Sequence, residues 1–77
     1  MRYVPFCEER YCEDVGMYRT YGIQGVNALG EVMIAISDIS TQYELVKELA
    51  NRCTRGNLSP EHLRDVVENE LNSGSLV

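Results

Sequence analysis

The chain predicts an α+β fold, a three-stranded antiparallel β-meander followed by an α-helical hairpin packed on one sheet face (β-β-β-α-α). Three observations predict it. The first half is rich in β-branched and aromatic residues and is broken by two turn sequences, Glu13-Asp14-Val15-Gly16 and Asn27-Ala28-Leu29-Gly30. From Leu45 the apolar residues recur at helical spacing. Leu58-Ser59-Pro60-Glu61 then opens a second helical pattern soon after the first one ends.

The first strand is expected at residues 6–12 and on a sheet edge. Pro5 cannot donate a ladder hydrogen bond, and Glu8, Glu9 and Arg10 are charges that discourage pairing with foreign chains. Residues 1–5 and 74–77 are expected to fray. Gly16 suits the positive φ of the turn that follows. Residues 17–26, MYRTYGIQGV, make the second strand; Gly22 and Gly25 signal a bulge or a close backbone approach.

Asn27 and Gly30 tolerate the left-handed geometry of a hairpin turn into the third strand, residues 31–37. If Asn27 opposes Gly30, Gly25 faces Val32, Ile23 faces Ile34 and Tyr21 faces Ile36. Tyr21, Ile23, Val32, Ile34 and Ile36 then share the core face. Tyr18, Thr20, Gly22, Gln24, Met33, Ala35 and Ser37 share the other. A one-residue slip would mix the two sets, so the pattern selects the register.

Thr41 and Glu44 have capping-box spacing at the start of the first helix, with Asp38 or Ser40 as alternative caps. Leu45, Val46, Leu49, Ala50 and Cys53 form its apolar stripe. Glu44, Lys47, Glu48, Asn51 and Arg52 form its wet side, where Glu48 and Arg52 stand in favourable i,i+4 order. Gly56 suits a left-handed C-cap. In the second helix Ser59 is the N-cap, Pro60 the first helical residue, and Leu58 with Leu63 a hydrophobic staple. Leu63, Val66, Val67 and Leu71 form its buried face, while Glu61, Arg64, Asp65, Glu68 and Glu70 face water.

Seventy-seven residues make one small domain, 1–77, near the size at which a single core only just outweighs chain entropy. No apolar run approaches the roughly 18 residues of a membrane span, so no membrane partner is expected. The stretch MRYVPFCEER lacks the long apolar run of a secretory signal, and the expected location is cytoplasmic. Seven basic residues are spread among twelve acidic ones, a net charge of −5. That balance opposes phosphate binding, so no nucleic-acid partner is expected. Cys7, Cys12 and Cys53 show no CxxC spacing and read as reduced thiols, Cys53 in the core. No cofactor and no metal site is expected.

Tyr21-Gly22-Ile23, Gly30-Glu31-Val32, Ser37-Asp38-Ile39-Ser40, Leu58-Ser59-Pro60 with His62-Leu63, and Asp65-Val66-Val67-Glu68 together resemble a family of short bacterial proteins. That family is catalogued only as a domain of unknown function and is typical of Gram-positive anaerobes. The resemblance covers about residues 18–71. It implies a cytoplasmic bacterial protein and brings no activity and no catalytic residue.

His62 is the natural candidate for acid–base chemistry, and Asp65 lies one turn further on. A dyad of this kind needs a nucleophile and a pocket, and a meander this small leaves little room for one. No catalytic set is therefore expected. Asp38-Ile39-Ser40 reads as helix capping, since no glycine-rich loop accompanies it. Two helices cover one sheet face only. The other, semi-apolar around Tyr18, Thr20, Gln24, Met33 and Ala35, is the expected interface of a non-enzymatic interaction or regulatory module, a homodimer through this face or an edge strand. The alternative is a small ligand-binding or enzyme subunit using His62 and Asp65.

Overall fold

A computed structural model describes residues 1–74. Strands β1 (Arg2–Cys12), β2 (Gly16–Val26) and β3 (Val32–Ser40) form one antiparallel sheet in the order β1-β2-β3. Helix α1 (Tyr43–Arg55), a 3-10 turn (Pro60–His62) and α2 (Leu63–Asn72) follow. The fold is the α+β meander and helical hairpin that the sequence predicts. Of the residues expected to fray at the C-terminus, 75–77 lie outside the described residues.

At the other end the expectation fails. β1 starts at Arg2, and residues 2–5 are paired with β2 rather than frayed, Tyr3 opposite Gly25 and Pro5 opposite Ile23. Tyr3 supplies the reason. Its side chain is fully buried and its hydroxyl donates to the Leu58 carbonyl at 2.6 Å. Its backbone N–H donates to the Thr54 hydroxyl at 2.8 Å. That hydroxyl lies 3.2 Å from the Tyr3 carbonyl and 3.1 Å from the Ala50 carbonyl, either of which can accept its proton. The backbone groups of Tyr3 thus point away from β2, and alternation turns those of Pro5 to the same outer side. There a missing N–H costs the ladder nothing.

The β2–β3 hairpin keeps the expected faces at Ile23, Ile34 and Ile36 but not at Val32, and it does not keep the expected register. The Asn27 side-chain oxygen accepts from the Leu29 and Glu31 N–H groups, and the Asn27 N–H donates to the Glu31 carbonyl at 3.0 Å. The turn therefore closes one residue later than expected, with Gly30 at φ +83°. A bulge between Gly25 and Val26 adds a second extra residue on β3, so Gly25 faces Ile34 and Ile23 faces Ile36. Two one-residue shifts restore parity. Ile34 and Ile36 stay with Ile23 on the helix side, whereas Val32 is turned out and exposed.

β3 runs on past Ser37 because of a larger irregularity. Tyr21 faces Ser40 and Ile23 faces Ile36, so Ser37, Asp38 and Ile39 all oppose Gly22. Regular alternation after Ile34 and Ile36 would send Asp38 into the core. Instead Asp38 adopts φ +55° and Ile39 is buried. The Asp38 N–H, displaced from the ladder, donates to the Glu8 carboxylate at 3.2 Å. Gly22 is the residue that permits this, since the Ile36 carbonyl presses against it where a Cβ would stand. The expected close approach is present.

With Ser37–Ser40 in the strand, the capping box of Thr41 and Glu44 does not form. The N-cap is Gln42, without a side-chain cap bond, and the Ser40 hydroxyl accepts from the Gln42 N–H at 3.1 Å. Val46, Leu49, Ala50 and Cys53 of the predicted stripe are buried and Leu45 packs beside them. At the α1 C-terminus Gly56 is right-handed, and Asn57 takes the left-handed position at φ +50°. Ser59 and Pro60 begin a 3-10 turn before α2. Leu63 and Val67 are buried, Val66 half-buried, and Leu71 exposed, contrary to the expected buried face. Arg52 does not pair with Glu48; its guanidinium reaches the Glu70 carboxylate of α2 at 3.3 Å. Glu70 is accordingly half-buried instead of facing water. The core that results lies between the sheet and the helices, built from Tyr3, Ile23, Ile39, Val46, Leu49, Ala50, Cys53, Leu63 and Val67.

Candidate interaction surface

The helices cover the sheet face of Tyr3, Ile23, Ile34 and Ile36. On the opposite, open face, alternation and pairing bring Val4 and Phe6 of β1 beside Gln24 and Gly22 of β2, and Ala35 of β3 beside Gln24. Phe6 lies over Gly22, its ring filling the space a side chain there would need. Of the five residues predicted from the sequence, Met33 and Ala35 are exposed and Tyr18 and Gln24 half-buried. Thr20 departs from the expectation. It is fully buried, with its hydroxyl donating to the Ser40 carbonyl at 3.2 Å, and offers nothing to a partner. The Ser37–Ile39 bulge brings Ser40 within its reach.

Val32 joins this surface by the same mechanism that removes it from the core. It is 55% exposed and Met33 56%, two adjacent large apolar side chains on the outermost strand. Leu29, 83% exposed, continues them at the hairpin tip. Val4, Phe6 and Val32 were missing from the predicted surface. Alternation in residues 2–8 would have revealed the first two.

Charge on this face lies at its ends, Arg2 opposite Val26 at one and Glu8 with Arg10 at the other. Glu8 accepts from the Asp38 N–H and from Arg10, whose Nε lies 3.3 Å from the carboxylate. The rest of the face, from Val4 across to Ala35, is uncharged.

The alternative pair is not assembled. His62 closes the 3-10 turn, exposed, with its Nε2 3.7 Å from the exposed Glu61 carboxylate rather than bonded to Asp65. Among the described residues no three His, Cys, Asp or Glu side chains are grouped to hold a metal ion, and no helix is long and apolar enough to cross a membrane.

Two buried groups titrate abnormally. Burial raises the Tyr3 phenol above the usual tyrosine range, helped by the nearby Cys53. Burial also raises the Cys53 thiol; Arg52 opposes this and Glu70 adds to it. Each holds its proton more tightly folded than unfolded. Its contribution to stability is complete below the unfolded pKa and is lost as pH rises through the folded one. The urea midpoint is expected to change little with these groups near neutrality and to fall above about pH 9. A midpoint that stays level to about pH 11 would contradict the burial of both.

No curated protein and no solved structure shows a significant match to the chain. The model of a family of unknown function, DUF6514, matches residues 3–73, taking in β1 as well as the segments whose motifs suggested a relationship. The chain, from the buried Tyr3 to the end of α2, belongs to the DUF6514 family.

Proposed function

We propose that the chain is a small non-enzymatic interaction module that works as a homodimer through the open side of its sheet. One observation carries this reading. Val32 and Met33 stand more than half exposed beside Ala35, at the side of the sheet farthest from the charged Glu8–Arg10 corner. Met and aromatic residues are enriched at interfaces and charged residues depleted at their centres. A second copy covers these side chains at no cost to either fold. The reading includes a cytoplasmic location, supported by three unpaired thiols, one of them exposed.

Met33→Lys tests it. A charge at this exposed position is tolerated by the monomer, with stability expected within about 0.5 kcal/mol of the parent. In light scattering across a dilution series the variant is expected to remain a monomer at concentrations where the parent associates. Equal association by both proteins would remove this surface from the interface.

A further inference from the structure

The two edges of the sheet are not equivalent. On β1 the outward backbone groups of Tyr3 are taken by the Thr54 hydroxyl, and Pro5, next on the same side, has no N–H to offer. Beyond it lie Glu8, Glu9 and Arg10. This edge is closed by α1, a proline and charge. On β3 the Ile36 carbonyl points at Gly22 of β2, so alternation turns the N–H and C=O of Ala35 outward, where the sheet has no further strand. From Val32 to Ser37 there is neither charge nor proline.

We infer that β3 pairs antiparallel with β3 of a second copy about a two-fold axis at Ala35, joining the two meanders into one six-stranded sheet; this rests on the homodimer reading above and places the contact at the β3 edge, of which Val32 and Met33 are part, rather than face to face. Ala35 N–H of each copy donates to the Ala35 carbonyl of the other. The register is self-complementary. Ile34 falls opposite Ile36, both on the helix side, and Met33 opposite Ser37 on the open side. Charge is compatible as well. In a chain of net charge −5, the straight edge from Met33 to Ser37 carries no charge, so no acid faces an acid across this axis. Ala35 itself is small enough for two backbones to meet without crowding. The bulges at Val32–Met33 and Ser37–Ile39 leave only a short straight edge between them. Such a contact is well below the roughly 1,200–2,000 Å² of a stable interface, and the dimer is expected to be weak, dissociating in the micromolar range or above.

Ala35→Pro removes both central hydrogen bonds yet spares the β2–β3 ladder, because the deleted N–H faces outward. Sedimentation equilibrium of parent, Ala35→Pro and Met33→Lys separates the outcomes. The expected result is association weakened on the order of 10- to 100-fold in Ala35→Pro, with an unchanged circular dichroism spectrum. Parent-like association of Ala35→Pro, with Met33→Lys monomeric, would overturn edge pairing and leave a face-to-face homodimer. A parent that stays monomeric at every concentration would overturn both readings. Should Ala35→Pro not fold, amide hydrogen exchange of the parent decides. The Ala35 N–H is expected to be protected at high concentration and to exchange freely on dilution, and equal exchange at both would overturn the pairing.

Discussion

Replacing Tyr3 by alanine is expected to destabilise the domain by about 3–5 kcal/mol, the usual cost of deleting a buried aromatic side chain. A domain of this length has roughly 4–12 kcal/mol in total, so a large share of its stability would go. The effect has three sources. The ring is a fully buried core member, its hydroxyl is the donor for the Leu58 carbonyl, and its ring lies across Gly25, where no side chain competes for the space. Tyr3→Phe keeps the ring and loses the hydroxyl, leaving the Leu58 carbonyl without that donor. The expected cost is about 1–2 kcal/mol. Urea denaturation of the three proteins measures both. A Tyr3→Ala midpoint equal to the parent's would mean that the first residues of β1 are not docked.

Gly22→Ala is expected to cost about 3 kcal/mol or more, although it adds a single methyl group. That methyl would meet the Phe6 ring at 2.7 and 2.9 Å and the Ile36 carbonyl oxygen more closely still. The ring can move and the carbonyl cannot, because it belongs to the strand backbone between two bulges. Combining Gly22→Ala with Phe6→Ala therefore relieves one contact of the two. Only partial recovery of the urea midpoint, relative to Phe6→Ala alone, is expected. Full recovery would show that the backbone approach is not what requires glycine here.

These two residues also show where the sequence was legible. Gly22 announced a close approach through its type alone, since a glycine among Tyr, Thr and Ile in a strand has little other purpose. The faces of β2 and β3 were legible because side-chain parity survives any even shift in register. The turn closing at Glu31 and the bulge beside Val26 each shift the register by one residue and together by two. The Ser37–Ile39 bulge also has a signal in the sequence. After Ile34 and Ile36 the next inward position is Asp38, and the apolar residue beside it is Ile39, a change of parity that a bulge resolves.

Tyr3 was not legible in this way. Its partners, Thr54 and Leu58, are 51 and 55 residues away in sequence, and nothing local distinguishes a docked aromatic from a frayed one. A separation of 18 residues likewise hid the Arg52–Glu70 contact, which forms in place of the local Glu48–Arg52 pair where the two helices lie together. At the candidate surface the period-2 pattern located Met33, Ala35, Tyr18 and Gln24. Thr20 was misassigned because its burial comes from the tertiary bulge and not from its own strand.

The most direct test of the homodimer is the molar mass of the parent protein in solution, by light scattering with reductant present, over a broad concentration range. The mass is expected to rise from 8.7 kDa toward twice that value as concentration increases. A mass that holds at 8.7 kDa throughout would contradict the homodimer and leave the exposed Val32–Met33 surface to a different partner.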